Sequence, residues 1–124
     1  MNINIKLFIV SFIILIILDF VYLYFNQNWY KKEIKKSQGT ELILKWPGVF
    51  IRYFSQVVGL NIFILQKNGT IIDSFLFGLI IYANYLGTNY ATIINFDENL
   101  AMVDLIKGSI IMSLTTFLTY KIIK

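Results

Sequence analysis

The chain has 124 residues, of which 57% are hydrophobic and 15% charged, with a formal net charge of +4 and a mean hydropathy of +0.68. Soluble domains average about 45–50% apolar and about 25% charged, so these figures point to a membrane protein with a single polytopic domain over residues 1–124. The absence of cysteine and histidine excludes disulfides and thiolate chemistry and removes the commonest metal ligand and the usual near-neutral acid–base group.

The first apolar segment runs from about Ile5 to Phe25, and Leu7 to Leu18 is apolar throughout apart from Ser11. A soluble amphipathic helix would show a polar stripe, and about 20 apolar residues suffice to span hydrocarbon. A cleaved signal peptide would have a shorter apolar stretch ending in small residues. Tyr22, Tyr24, Phe25, Trp29 and Tyr30 follow instead, as expected at a membrane interface. The segment is therefore read as a retained helix over residues 5–26. Asn26 to Lys45 reads as a longer basic loop between helices 1 and 2. It carries Lys31, Lys32, Lys35, Lys36 and Lys45, with a short interfacial helix interrupted near Gly39.

A second helix is expected over 47–66, with Pro47 in its first turn and Trp46 in the aromatic belt. Arg52, Gln56 and Asn61 interrupt it, which a position inside a bundle tolerates better than a lipid-facing one. Third and fourth helices are expected over 71–94 and 100–123. The turns between them are Lys67-Asn68-Gly69-Thr70 and Asn95-Phe96-Asp97-Glu98-Asn99, with Asn99 as a candidate cap. Asn68-Gly69-Thr70 also matches a glycosylation sequon and is read as a turn. Short connections make neighbouring helices antiparallel. The expected fold is all-α: a four-helix transmembrane bundle, up-down-up-down. Five lysines on the loop side (31, 32, 35, 36, 45) against four on the other (6, 67, 121, 124) do not fix its orientation by the positive-inside rule.

Four ionisable residues fall inside the apolar spans: Asp19, Arg52, Asp104 and Lys107. Each costs roughly 2.5–3.5 kcal/mol at a helix centre. With alternating helices, all four lie roughly 6–10 Å from the loop-side ends, at 1.5 Å per residue. The third helix brings Asn89 and Thr92 to the same side. Gly78, Tyr82, Tyr85, Asn89 and Thr92 recur at spacings of four, three, four and three, which is one helix face. These residues form a candidate intramembrane polar layer, in which either acid could pair with either base. The plainer alternative is polar glue between helices, with Lys107 snorkelling to the interface. On the fourth helix Gly108 is expected to admit a neighbouring backbone. Ser109, Ser113, Thr116 and Tyr120 make a weaker polar stripe.

The stretch Tyr82-Ala83-Asn84-Tyr85-Leu86-Gly87-Thr88-Asn89-Tyr90-Ala91-Thr92 resembles the DUF2177 family of small four-helix membrane proteins. That family's pattern is a Gly, then Tyr-x-x-Tyr-Asp-x-Thr-Asn-x-Ala-Thr, then Asp-x-x-Trp-Gly in the last helix. Gly78, Tyr82, Tyr85, Thr88, Asn89, Ala91, Thr92, Asp104 and Gly108 match it. Asp19 with Tyr22, and Trp29-Tyr30, fit its first-helix pattern more loosely, and Gly59 and Phe63 fit the second helix. Leu86 stands where the pattern has Asp, and Lys107 where it has Trp. The resemblance implies four spans. It also implies that any ion-linked activity of the family is altered in this chain, because one acid is lost and one base gained.

Three functions compete. The first is a small ion- or solute-handling protein with Asp19 and Asp104 at its site; by analogy with small four-helix transporters it would be a homo-oligomer. The second is a non-catalytic membrane-organising or partner-binding component whose Lys31, Lys32, Lys35 and Lys36 contact anionic headgroups, at about 1 kcal/mol per lysine. The third, a membrane enzyme, ranks last, because no recognisable nucleophile–base pair is present. The bilayer is the expected partner. No cofactor, metal or nucleic acid is expected.

Overall fold

A computed structural model describes residues 4–38 and 45–123, the side chains of residues 37 and 38 excepted. Among these residues the chain is helical: α1 (Ile5–Gln38), α2 (Trp46–Phe63), a 3-10 turn (Leu65–Lys67), α3 (Ile71–Thr92) and α4 (Glu98–Ile123). All four α-helices are long and apolar enough to cross a membrane.

α1 runs past the expected boundary at residue 26. The change from apolar to polar residues after Phe25 does not stop it, because polarity is no helix breaker. Residues 26–38 contain no glycine or proline and are rich in Lys, Gln and Glu, which extend helices well. Lys31, Lys32, Lys35 and Lys36 therefore stand on the last turns of α1, not in a loop. The interruption expected near Gly39 lies outside the described residues.

Local chemistry sets the other helix ends. Pro47 occupies the first turn of α2. Thr70 and Asp73 form a reciprocal capping box at α3: the Thr70 hydroxyl accepts from Asp73 N at 3.0 Å, and the Asp73 carboxylate accepts from Thr70 N at 2.9 Å. Asn68 adopts a left-handed backbone (φ 55°) just before this cap, a conformation that asparagine tolerates. At α4 the cap is Asp97 and not Asn99. Asp97 Oδ1 accepts from Asn99 N at 3.0 Å, and Asn99 already lies inside the helix. A carboxylate there also complements the helix dipole.

Helix contacts run in opposite senses along the chain. α1 meets α2 through Ser11–Asn61 and Asp19–Arg52, and Asn4, just before α1, bonds Gln66 of the 3-10 turn. α3 meets α4 through Ser74–Thr116 (2.5 Å) and, at the far end, through Tyr90–Glu98 (2.7 Å). The apolar core gathers Leu15, Val57, Leu60, Leu65 and Met112, with Ile64 and Ile111 beside them. On α1 the buried row is Leu7, Ser11, Leu15 and Asp19, while Ile5, Ile9, Ile13 and Ile17 face outward. An apolar exterior suits a lipid solvent.

α3 buries Ser74, Gly78, Tyr82 and Leu86, a strict four-residue row. The expected 78-82-85-89-92 face thus holds only at its first two positions. A row spaced by four drifts around the helix relative to one that alternates three and four. Gly78 is where backbones approach: a Cβ there would lie 3.0 Å from Ser109 Cα. Gly108 does something different from what was expected of it. A Cβ on it would run into the Tyr82 ring, so this glycine clears space for an aromatic side chain. Hydroxyls of Ser109, Ser113, Thr115 and Thr119 bond carbonyls of their own helix, which satisfies them locally.

Gly108→Leu should lower the unfolding midpoint of the detergent-solubilised protein, at a cost of roughly 1–3 kcal/mol from overpacking. Gly87→Leu, where an added Cβ meets nothing within 4 Å, should leave it unchanged or raise it. Thermal unfolding of both variants checks the contrast.

Candidate functional site

The buried row of α1 carries Asp19 to the centre of the bundle, where the residue is 2% exposed. Its two carboxylate oxygens are taken by different helices. Oδ1 accepts from Lys107 Nζ of α4 at 3.0 Å. Oδ2 accepts from Arg52 Nη1 of α2 at 3.3 Å and from the Tyr53 hydroxyl in a short hydrogen bond. α3 joins through Tyr82, whose hydroxyl accepts from Arg52 Nη2 at 3.0 Å and Gln56 Nε2 at 2.9 Å. Lys107 also lies 5.3 Å from the Tyr22 ring centroid and 5.6 Å from that of Tyr82, close enough for cation–π attraction.

One carboxylate therefore faces two cations. A second string runs beside it: the Tyr30 hydroxyl donates to Asp104 Oδ1 at 2.5 Å and lies 3.0 Å from the Tyr22 hydroxyl. Among the described residues no cation forms an ion pair with Asp104. The two cations differ in exposure: the Lys107 side chain is 7% exposed and that of Arg52 37%. Arg52 opens onto a cleft of about 310 Å³ between α2 and α3, lined by Arg52, Ser55, Gln56, Ile81, Tyr82 and Tyr85.

Of the residues expected in a polar layer, Asp19, Arg52, Tyr82 and Lys107 are in direct contact. Asp104 reaches them only through Tyr30 and Tyr22. Tyr85 stacks edge-on to Tyr82, with ring centroids 5.9 Å apart, and is itself exposed at the cleft. Asn89 and Thr92 do not join. Thr92 is exposed and bonds the Thr88 carbonyl at 2.7 Å, and Asn89 is half-buried. The drift of α3's buried row carries both away from the centre. Sequence reasoning placed Gln56 inside the bundle but not in the polar layer, and it passed over Tyr53, which directly follows Arg52. The tyrosines of α1 were taken for an interface belt.

Lys31, Lys32, Lys35 and Lys36 are exposed at the end of α1. Lys36 Nζ pairs with Asp97 Oδ2 at 3.3 Å, tying this end to the start of α4. Hydrogen bonds from Glu33 first, and then from the Asn99 backbone N–H, hold the Asp97 carboxyl below its ordinary value of 3.8. A lowered carboxyl pKa stabilises the fold above the unfolded-state value, and that contribution is lost as pH falls through the folded-state value. Asp97 therefore stays ionised, and able to pair with Lys36, to a lower pH than an ordinary carboxyl. Among the described residues no three acidic side chains gather where they could hold a metal.

Residues 4–121 match the model of a family described as "Predicted membrane protein (DUF2177)". No curated protein and no solved structure matches the chain.

Removing one partner of a buried ion pair costs about 3–5 kcal/mol, because the remaining charge is left uncompensated. Asp19→Ala strands two cations and should lower the unfolding midpoint most. Lys107→Met leaves Arg52 to neutralise Asp19 and should cost less. The double variant Asp19→Ala with Lys107→Met should recover part of the Asp19 loss, measured as a coupling energy by thermal unfolding in detergent.

Proposed function

The chain belongs to the DUF2177 family of predicted membrane proteins, and from that premise we propose that it is a small ion- or solute-handling membrane protein whose working site is the polar cluster around Asp19. The observation that supports this reading is the meeting of Asp19, Arg52 and Lys107 from three helices, with Tyr82 from the fourth. Each charge is costly in hydrocarbon, and such groups inside spans commonly mark solute or proton paths. Asp19 is already neutralised by two cations, so it serves poorly as a cation ligand. The accessible polarity of the cluster is positive and rich in donors. The solutes it suits are small anions or neutral molecules offering acceptor atoms.

Flux tests the proposal. Proteoliposomes of the wild-type chain should pass labelled acetate or phosphate, or protons, faster than protein-free liposomes. Tyr82→Phe keeps the ring beside Gly108 but deletes the hydroxyl that bonds Arg52. It should reduce that flux about tenfold, in line with a hydrogen bond to a charged group. Wild-type vesicles indistinguishable from empty ones for all three species would overturn the reading.

A second reading, the membrane-organising component, draws on the exposed Lys31, Lys32 and Lys35 at the end of α1. Near-surface lysines gain about 1 kcal/mol each from anionic lipid. On this reading Lys31→Gln with Lys32→Gln weakens association of the protein with anionic lipid about tenfold or more. Unchanged association in a lipid-pelleting assay would count against it.

A further inference from the structure

The cleft between α2 and α3 presents the Arg52 guanidinium and the hydroxyls of Tyr82 and Tyr85 as donors, beside two acceptors, Ser55 Oγ and the buried, unpartnered Gln56 Oε1. Tyr82's oxygen already accepts from Arg52 and Gln56, so both its lone pairs are used and its own proton is left to donate. Ser55 Oγ gives its proton to the Arg52 carbonyl at 3.0 Å. Tyr85 adds a further hydroxyl to the lining. The layer's two acids, Asp19 and Asp104, balance its two bases in number, but the ion pairing is uneven. Asp19 is shared between two cations, and Arg52 is the one that reaches the open side. A guanidinium with part of its charge unmatched in apolar surroundings draws an anion, and its planar fork suits a phosphate or carboxylate.

The surroundings define the rest of the ligand. Ile51 beside Arg52 and Ile80 beside Ile81 are strongly exposed apolar side chains, of the kind that lipid solvates. An anion entering here from water would have to shed its hydration beside hydrocarbon. One carried on an acyl chain would not. A space of about 310 Å³ accepts a headgroup and a few methylenes, but not a helix, which is roughly 10 Å across.

We propose that the α2–α3 cleft binds the anionic headgroup of a bilayer amphiphile, a phosphate or a carboxylate. Arg52 is the charge partner, Tyr82 and Tyr85 are hydroxyl donors, and the acyl chain lies along the exposed apolar flank. The inference rests on the Asp19 cluster being a working site. Its readout is binding and not flux, so the two can fail separately.

The test uses the full chain purified in neutral detergent, with bound lipid measured by native mass spectrometry. The probes are phosphatidylglycerol, oleate, phosphatidylcholine and inorganic phosphate. Phosphatidylglycerol and oleate are expected to bind about tenfold or more tightly than phosphatidylcholine, the scale of one charge-assisted contact. Arg52→Gln abolishes that preference. Ser55→Phe fills the mouth of the cleft without touching the Asp19 pairs; it abolishes the preference too, and it decides the matter if Arg52→Gln fails to fold. The triple variant Lys31→Gln, Lys32→Gln, Lys35→Gln retains it. Equal binding of charged and neutral lipid by the wild type overturns the proposal, as does a preference that survives Ser55→Phe or vanishes in the lysine variant. Displacement of phosphatidylglycerol by inorganic phosphate at matched concentration assigns the site to a free anion and overturns the amphiphile.

Discussion

Asp19 is buried among apolar side chains, and the two cations that neutralise it come from different helices. This arrangement fixes the register of the bundle. Lipid tails are as apolar as leucine, so apolar contact alone gives helices in a membrane little reason to prefer one alignment. Separating a buried carboxylate from its cations costs several kcal/mol per ion. α1 therefore cannot slide along α2 or α4 without exposing a charge. α3 is held to the same level less directly, by the Arg52–Tyr82 hydrogen bond and by the space that Gly108 leaves for the Tyr82 ring. A smaller set of neutral contacts secures the opposite end. Asn61 bonds Ser11 and the Gln66 amide, and Ser74 meets Thr116.

The four spans were legible because membrane hydrocarbon imposes length, and length is visible in a string of apolar residues. The convergence of Asp19, Arg52 and Lys107 was legible for a related reason: a charge in a span stands out, and counting residues from each helix end gives a depth. What a count along the chain does not carry is rotation about the helix axis. Asn89 and Thr92 share the depth of the cluster but not its side of α3, because that helix packs along a row spaced by four. The continuation of α1 past residue 26 was hidden for another reason. Hydropathy reports where lipid stops, whereas a helix stops where its backbone meets a breaker, and residues 26–38 contain no glycine or proline. The cap at Asp97 was obscured by Asn99, a residue of equally good capping type two positions later.

Lys107 shows how one side chain can set the balance of a site. Here a lysine reaches Asp19, satisfies one of its oxygens and leaves Arg52 with half a partner. Leu86 is buried in the same row of α3 as Tyr82. The uncovered charge lies beside α3, where the cleft opens, and not at the α1–α4 contact, where Lys107 is enclosed.

The continuity of α1 has a geometric consequence. At 1.5 Å per residue its 34 residues extend roughly 51 Å, against a hydrocarbon core of about 30 Å. The surplus is fastened to α4 by the Tyr30–Asp104 hydrogen bond and the Lys36–Asp97 pair. Asp19 and the lysines of the last turns thus stand on one unbroken helical backbone.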